Sequence, residues 1–261
     1  MEEGRRIKLS KIGHVKVKCH RKLQGVPKTC LVKREQSGKW FVVISCDKVP
    51  VKTVQASPLK VGIDLGLKVF AVMSDGTSIK RERFLKEADG KISKASRKLQ
   101  RKAKGTPERR EARLRLARVH EKVANQRNDF THKASKAIVD RYGIICLENL
   151  GVKEMLEKPK IVVNGKPLSA KKMHKSIADV AWSDFVGKLV YKAVNAGRLV
   201  VKVDPRNTTK ACSSCGKLVV KDLSVRVHVC GCGYVEDRDL NAAKNILRLG
   251  LESLAVTRVS A

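Results

Sequence analysis

Two sets of residues in this 261-residue chain have the types and spacing for chemistry. The first is Cys212-Ser-Ser-Cys215-Gly and Cys230-Gly-Cys232-Gly, two close thiol pairs separated by 14 residues. Zn²⁺ takes four sulfurs in a tetrahedron at about 2.3 Å, and a glycine after each pair lets the backbone turn its amides toward the thiolates. With all four positions filled by protein, the ion would be structural and not catalytic. The second pair has one intervening residue where two are usual. His228, two positions before Cys230, is therefore an alternative fourth ligand, while Gly231 would allow the bend if Cys232 serves. Four unrelated thiols or two disulfides are the other readings, and a reducing compartment weakens both.

The second set is acidic. Asp64 and Glu148 each end a short apolar strand, and Asp239 opens the last helix. Each has an ordinary explanation: Asp64 before Leu-Gly suits a turn, Glu148 before Asn-Leu a strand end, and Asp237 or Asp239 a helix N-cap. Together they have the number and type of hard oxygen ligands for two Mg²⁺ ions about 4 Å apart at a phosphodiester. A one-ion site would use the same residues.

Charge narrows the partner. Fifty-seven Lys and Arg against 25 Asp and Glu give a formal net charge of +32. Self-repulsion of that size calls for a polyanion, with nucleic acid first and a membrane surface second. No apolar run approaches 18 residues and no signal-peptide pattern is present, so a soluble cytoplasmic, nucleoid-associated protein with DNA as partner and no membrane contact is expected. The excess concentrates in residues 91–136, where 16 basic residues meet 4 acidic ones. Two basic helices joined at Gly105-Thr-Pro are expected there, with Arg109, Arg110 and Arg113 as phosphate contacts; the alternative is a solvated helical face. Arg238, between two aspartates, has the chemistry for a phosphate as well. Cys19, Cys30, Cys46 and Cys146 stand singly and read as reduced, buried thiols.

The elements that must position these residues follow from periodicity. Up to about residue 55 the chain reads as short strands, including Val15 to Cys19 and Lys39 to Ser45. Lys60 to Gly66 and Val69 to Met73 form a hairpin signal closed by Ser74-Asp-Gly. Gly143 to Glu148 is continuously apolar, as a strand buried on both faces must be. A loop containing Asn164-Gly follows. Ser176 is the expected cap of a helix that buries Ile177, Val180, Ala181, Phe185, Leu189, Val190 and Ala193 and ends at Gly197. Leu199 to Val203 is another buried strand, and from Leu240 a final helix carries Ala242, Ala243, Ile246 and Leu247 on one side. This order predicts an α/β domain with a mixed sheet, into which the basic hairpin and the cysteine cluster are inserted.

Three segments carry a resemblance: Val61-Gly-Ile-Asp64-Leu-Gly, Ile144-Ile-Cys-Leu-Glu148-Asn-Leu, and Asp237-Arg-Asp239-Leu-Asn-Ala-Ala-Lys-Asn-Ile. They resemble the three RuvC motifs of the TnpB family, insertion-sequence proteins related to type V CRISPR effectors. The likeness extends to the cysteine cluster just before the third motif, to Lys175 through Phe185, and to Lys202-Val-Asp-Pro-Arg, and it runs from about residue 7 onward. It implies an RNase H-like fold with Asp64, Glu148 and Asp239 as the metal site, Asp239 being preferred to Asp237 because Leu-Asn-Ala-Ala follows it. It implies a partial β-barrel at 1–58, a RuvC-like nuclease domain at 59–205 with the basic hairpin at 91–136, a zinc ribbon at 206–236, and the last motif with its helix at 237–261. It also implies that the chain opens at the barrel's closing strands, Ile7 to Asp47, as an N-terminally truncated copy. The expected function is a Mg²⁺-dependent DNA endonuclease of a transposable element, guided by RNA in full-length relatives. The alternatives are a non-catalytic nucleic-acid-binding remnant or regulator and a strand-transferring transposase.

Overall fold

Runs of β-branched residues with a carboxylate at the end build the centre of the molecule. The computed structural model describes residues 6–20, 22–50, 55–157, 162–163, 166–167, 170–222 and 224–259; the expected Asn164-Gly loop lies outside them. In chain order the elements are β1 (Arg6–Leu9), β2 (Gly13–Lys16), β3 (Val26–Arg34), β4 (Trp40–Asp47), β5 (Lys60–Leu65), β6 (Val69–Met73), β7 (Ser78–Lys80), α1 (Phe84–Gln100) and α2 (Pro107–Arg141). They continue with β8 (Ile144–Glu148), α3 (Val152–Glu157), β9 (Val162–Val163), β10 (Lys166–Pro167), α4 (Ala170–Val180), α5 (Trp182–Asn195), β11 (Leu199–Val203), β12 (Val227–Val229), β13 (Val235–Asp237) and α6 (Arg238–Val259). The fold is mixed α/β. Among the described residues, no helix is long and apolar enough to cross a membrane.

The chain divides into two compact units, residues 1–52 with 90–122 and residues 53–89 with 123–261. This differs from the division read from the motifs, because the tips of the basic helices group with the N-terminal strands. In the first unit, β1 pairs with β2 and β3 with β4, each pair forming its own two-stranded antiparallel sheet. β3 is exposed along its whole length, as are Trp40 and Phe41 of β4. The expectation of buried thiols fails here. Cys19 and Cys30 are exposed and Cys46 is intermediate; Cys146 alone of the four is buried. Alternation marks a strand, but burial needs a second layer, and β3–β4 is a two-stranded sheet on its own.

The second unit is built on a five-stranded sheet of order β11-β8-β5-β6-β7. β11, β8 and β5 are parallel, whereas β6 and β7 continue as antiparallel hairpin strands. β5 and β8 are buried almost throughout, which explains their unbroken apolar sequence. The β6–β7 turn is the expected one, with Gly76 at φ 85 and its amide bonded to the Met73 carbonyl at 2.9 Å. Helix α6 lies against β5 so closely that a Cβ on Gly62 would sit 2.1 Å from the Ala243 carbonyl oxygen and 2.6 Å from the Leu247 nitrogen. Glycine is required there because backbone meets backbone. Gly250 of α6 similarly faces the Cys146 sulfur of β8.

The helix expected to start at Ser176 is two helices, with Ser176 inside α4 and not at its cap. They meet at Ala181, which takes left-handed φ 56. The reason is geometric: Val180 and Trp182 are both buried, and residues two apart point to nearly opposite sides of a continuous helix. The break re-phases the chain so that Ile177 and Val180 before it, and Trp182, Phe185, Leu189 and Ala193 after it, all enter one core.

Candidate functional site

Strand pairing brings the first two acids together. β5 and β8 run parallel with Ile63 beside Leu147, so Asp64 and Glu148 follow at the same end of adjacent strands. β11 adds Val203 beside Glu148. Both carboxylates are buried, at 9% exposure each. Glu148 is held by the buried Thr208, whose hydroxyl donates to its Oε1 and lies 3.1 Å from the Pro205 carbonyl oxygen. Asp239 comes from the first turn of α6, the helix that Gly62 admits onto β5.

Electrostatics register the crowding. Burial, then Glu148, then Asp239 push the Asp64 carboxyl up from 3.8 to about 8, with Arg238 opposing and Asp237 adding least. Burial raises Glu148 as well, against its hydrogen bond from Thr208. Asp239 is neutralised locally: Arg238 donates from Nε and Nη2 to its Oδ1 at 3.1 Å, and Arg226 Nη1 lies 3.5 Å from its Oδ2. Arg238 also donates to the Val225 carbonyl, so its side chain is engaged on the protein.

The two aspartates of the third motif divide their labour. Asp237 Oδ1 accepts the amides of Asp239 and Leu240 at 2.9 and 3.1 Å, which makes it the N-cap of α6. Asp239 is outside the cap: its carboxylate pairs with Arg226 and Arg238 and adds to the raised Asp64 carboxyl. The i, i+2 spacing alone left either aspartate as the cap, and only the resemblance preferred Asp239 for the metal site.

The cysteines gather more tightly. Among the described residues they form the one group of three or more such ligand atoms lying within 4.8 Å of one another. Cys212 and Cys232 sulfurs are 3.8 Å apart, and Cys215 and Cys230 sulfurs 3.6 Å. A disulfide requires about 2.05 Å, whereas a tetrahedron with 2.3 Å bonds has edges of about 3.8 Å. Each pair sits in a turn: Gly216 donates to the Cys212 carbonyl and Gly233 to that of Cys230, both at positive φ. Gly233, not Gly231, therefore supplies the left-handed residue of the second turn. Burial opposes ionisation of Cys212, but the amides of Cys215 and Ser214 outweigh it and hold its thiol well below the ordinary range. His228, the alternative ligand, stays outside the group; it is fully buried, with Nδ1 on Lys221 Nζ. All four cysteines suit a metal.

Two asparagines that sequence reasoning passed over tie this segment to α6. Asn241 donates to the Ala211 carbonyl at 2.8 Å and accepts from the Ser213 amide at 2.9 Å; Asn245 donates to the carbonyls of Thr208 and Ala211. Both are buried. Their i, i+4 spacing on an apolar helix face was the available signal.

The arginines of the basic hairpin separate. Arg110 and Arg113 are exposed, as a phosphate surface requires. Arg109 instead donates to the Leu99 and Lys102 carbonyls, closing the end of α1. Its neighbours Thr106 and Pro107 start α2, with the Arg109 amide 3.3 Å from Thr106 Oγ1.

Known proteins share this arrangement of segments. Residues 41–158 match the family model OrfB_IS605, described as "Probable transposase", and residues 182–246 match the "Cas12f1-like, TNB domain" model. Two bacterial proteins bear the name "Putative RNA-guided DNA endonuclease". The one from Streptomyces pristinaespiralis is 36% identical over 88% of this chain and 54% of its own length. The one from Escherichia coli K12, InsQ, is 31% identical over 97% of this chain and 64% of its own. "TnpB-like protein L770" of Acanthamoeba polyphaga mimivirus is 30% identical over 91% and 46%. The chain thus spans between about half and two thirds of the length of these curated relatives. With two family models placed in order along it and such relatives aligned over most of it, the chain belongs to the TnpB family.

Proposed function

We propose that this chain is a metal-dependent DNA endonuclease of a transposable element, of RuvC type on an RNase H-like fold, guided by RNA in longer relatives such as those named "Putative RNA-guided DNA endonuclease". The observation that carries the reading is that Asp64 and Glu148 end adjacent strands on one side of the sheet with Asp239 near enough to raise the Asp64 carboxyl, although 84 and 91 positions separate the three in sequence. The fold keeps Asp64 buried beside Glu148 and near Asp239 although burial and like charge oppose its ionisation. A bound cation removes that conflict, and an all-oxygen donor set suits Mg²⁺. Such an ion supplies Lewis acidity and charge neutralisation at a phosphodiester. The protein's part is positional: β5 fixes Asp64, Thr208 orients Glu148, and Asp239 leaves Arg226 and Arg238 to complete the set. Arg238, once released, has the chemistry to contact a phosphate oxygen. The cysteines hold a structural Zn²⁺, supported by their spacing and sulfur-only donor set.

The test is cleavage of plain single-stranded DNA by the full chain with Mg²⁺ or Mn²⁺. Asp64→Ala is expected to abolish cutting, and Asp237→Ala to retain more activity than Asp239→Ala. Equal cutting by parent and Asp64→Ala sinks the proposal. One observation favours a second reading, a non-catalytic nucleic-acid-binding protein: Asp239 is paired with two arginines. That reading predicts binding without cleavage by any of the four proteins.

A further inference from the structure

A basic cleft lies at the same end of the sheet as the carboxylates. β7 runs antiparallel to β6 and therefore parallel to β5, and the register Val69 to Lys80 sits beyond that of Leu65 to Ala71. The residues that follow β7 thus emerge on the side where Asp64 and Glu148 sit. β7 is two strands from β5, a distance of about 10 Å. There Arg81, Arg83, Lys86 and Lys175 line a cleft of about 570 Å³, together with Asp89 and Asp179.

The positive charge of this cleft exceeds its acids: four cations line it with Asp89 and Asp179. Asp179 is buried and already engaged: Arg127 Nη2 lies 2.9 Å from its Oδ1, which also accepts the Leu85 amide at the start of α1. Asp89 remains as the acid facing four cations. Arg81 is pinned, donating to the Leu67 and Ser176 carbonyls. Arg83, Lys86 and Lys175 are exposed and make no ion pair among the described residues. Burial and then Arg83 work against the charge on Arg81, with Asp179 opposing them. One anchored guanidinium surrounded by three exposed cations is an arrangement for phosphate, which would lose its own counterions on entering.

We propose that this cleft is a phosphate-binding site that grips the sugar–phosphate backbone of the strand presented to Asp64, Glu148 and Asp239. The inference rests on the nuclease reading for which strand is held, but its recognition chemistry is separate from the carboxylates. An extended strand spans the interval between cleft and carboxylates in a few nucleotides, so one strand can occupy both. Exposed arginine and lysine contacts of this kind set register without reading bases.

The experiment is equilibrium binding of a labelled single-stranded DNA to the full chain, without divalent metal, over a range of salt. The triple variant Arg83→Gln, Lys86→Gln, Lys175→Gln should bind at least about tenfold more weakly and lower the salt slope by about 2, at roughly 0.7 per lost single-strand contact. A charge-preserving triple variant (Arg83→Lys, Lys86→Arg, Lys175→Arg) should bind like the parent. Neutral methylphosphonate at single linkages should weaken the parent at a defined position and leave the glutamine variant indifferent there. Parent-like affinity and slope in the glutamine variant overturn the proposal, as does equal loss in the charge-preserving one. An RNA strand that outcompetes DNA on the parent, but not on the glutamine variant, assigns the cleft to RNA and overturns the substrate-strand claim. A parent chain that binds through the cleft but does not cut with Mg²⁺ or Mn²⁺ would remove the nuclease reading alone.

Discussion

The cysteine cluster and the carboxylate cluster are both candidate metal sites, yet they stand in opposite relation to the fold. The cysteines come from two short turns whose glycines and amides favour the thiolate arrangement, and the sulfurs already stand at tetrahedral spacing. The acids come from two strands and a helix far apart in sequence; Glu148 and Asp239 add to burial in making Asp64 harder to ionise, and burial raises Glu148. One site is assembled by local geometry and should add stability when filled; the other is imposed by the tertiary structure and costs stability when empty. A stabilising site and a reactive site can be told apart by that sign.

Metal removal breaks the comparison most strongly. Zinc-site binding is worth about 10 kcal/mol or more in small zinc domains, and Asn241 and Asn245 root this segment on α6. Cys215→Ser should therefore lose bound zinc and lower the melting temperature by many degrees, as read by metal analysis and calorimetry; full zinc retention in the Cys230→Ser, Cys232→Ser double variant would contradict the assignment. Next in size is Gly62→Ala. Its Cβ would meet backbone atoms at 2.1 and 2.6 Å, so α6 must move, at a cost of about 3 kcal/mol. Cleavage should fall with it, because Asp239 moves with α6; a parent-like denaturation midpoint would show that the contact is loose.

Asp64→Asn should act in the other direction, raising the stability of the metal-free protein by about 2 kcal/mol at pH 7 while abolishing cleavage. The sign follows from the folded carboxyl ionising at about 8 against 3.8 when unperturbed. The fold holds that proton more tightly, so its contribution is full below about pH 4 and is lost as pH rises to about 8. Denaturation midpoints across that window should slope downward in the parent and less so in Asp64→Asn. Added Mg²⁺ should stabilise the parent and leave the variant unchanged; the reverse would make Asp64 a structural residue.

The smallest effects lie in the basic helices, where the same contrast recurs within five residues. Arg109→Ala should lower stability by about 1 kcal/mol, through the α1 carbonyls it releases. Arg110→Gln with Arg113→Gln should leave stability unchanged and reduce the salt slope of DNA binding by roughly 0.7 to 0.9 for each arginine. A sequence-selective loss of binding would argue against simple phosphate contacts.

Legibility in the sequence followed how local each feature is. The cysteine turns, the β6–β7 hairpin and the buried strands β5 and β8 were readable because residue type and spacing specify a turn or a two-sided burial within a few positions. The acids were readable as strand-end and helix-start carboxylates, and their order supplied the resemblance. The break at Ala181 was not readable, since alanine favours a helix and only the simultaneous burial of Val180 and Trp182 demands the kink. Burial of Cys19 and Cys30 was misjudged because alternation does not say whether a second layer exists. The capping work of Arg109, the choice between Asp237 and Asp239 as cap, the pairing of Asp239 with Arg226 and the cleft at Arg81 all depend on partners distant in sequence or on an exact local turn.

By itself, then, the sequence determined which residues can ligate a cation, which segments must be buried and that the chain carries a large excess of positive charge. Only the tertiary structure decided which acids share a neighbourhood, and the physical reason lies at Gly62. A missing side chain in β5 lets the backbone of α6 approach within a contact that no Cβ permits, and that approach brings Asp239 to the end of the sheet where Asp64 and Glu148 already stand.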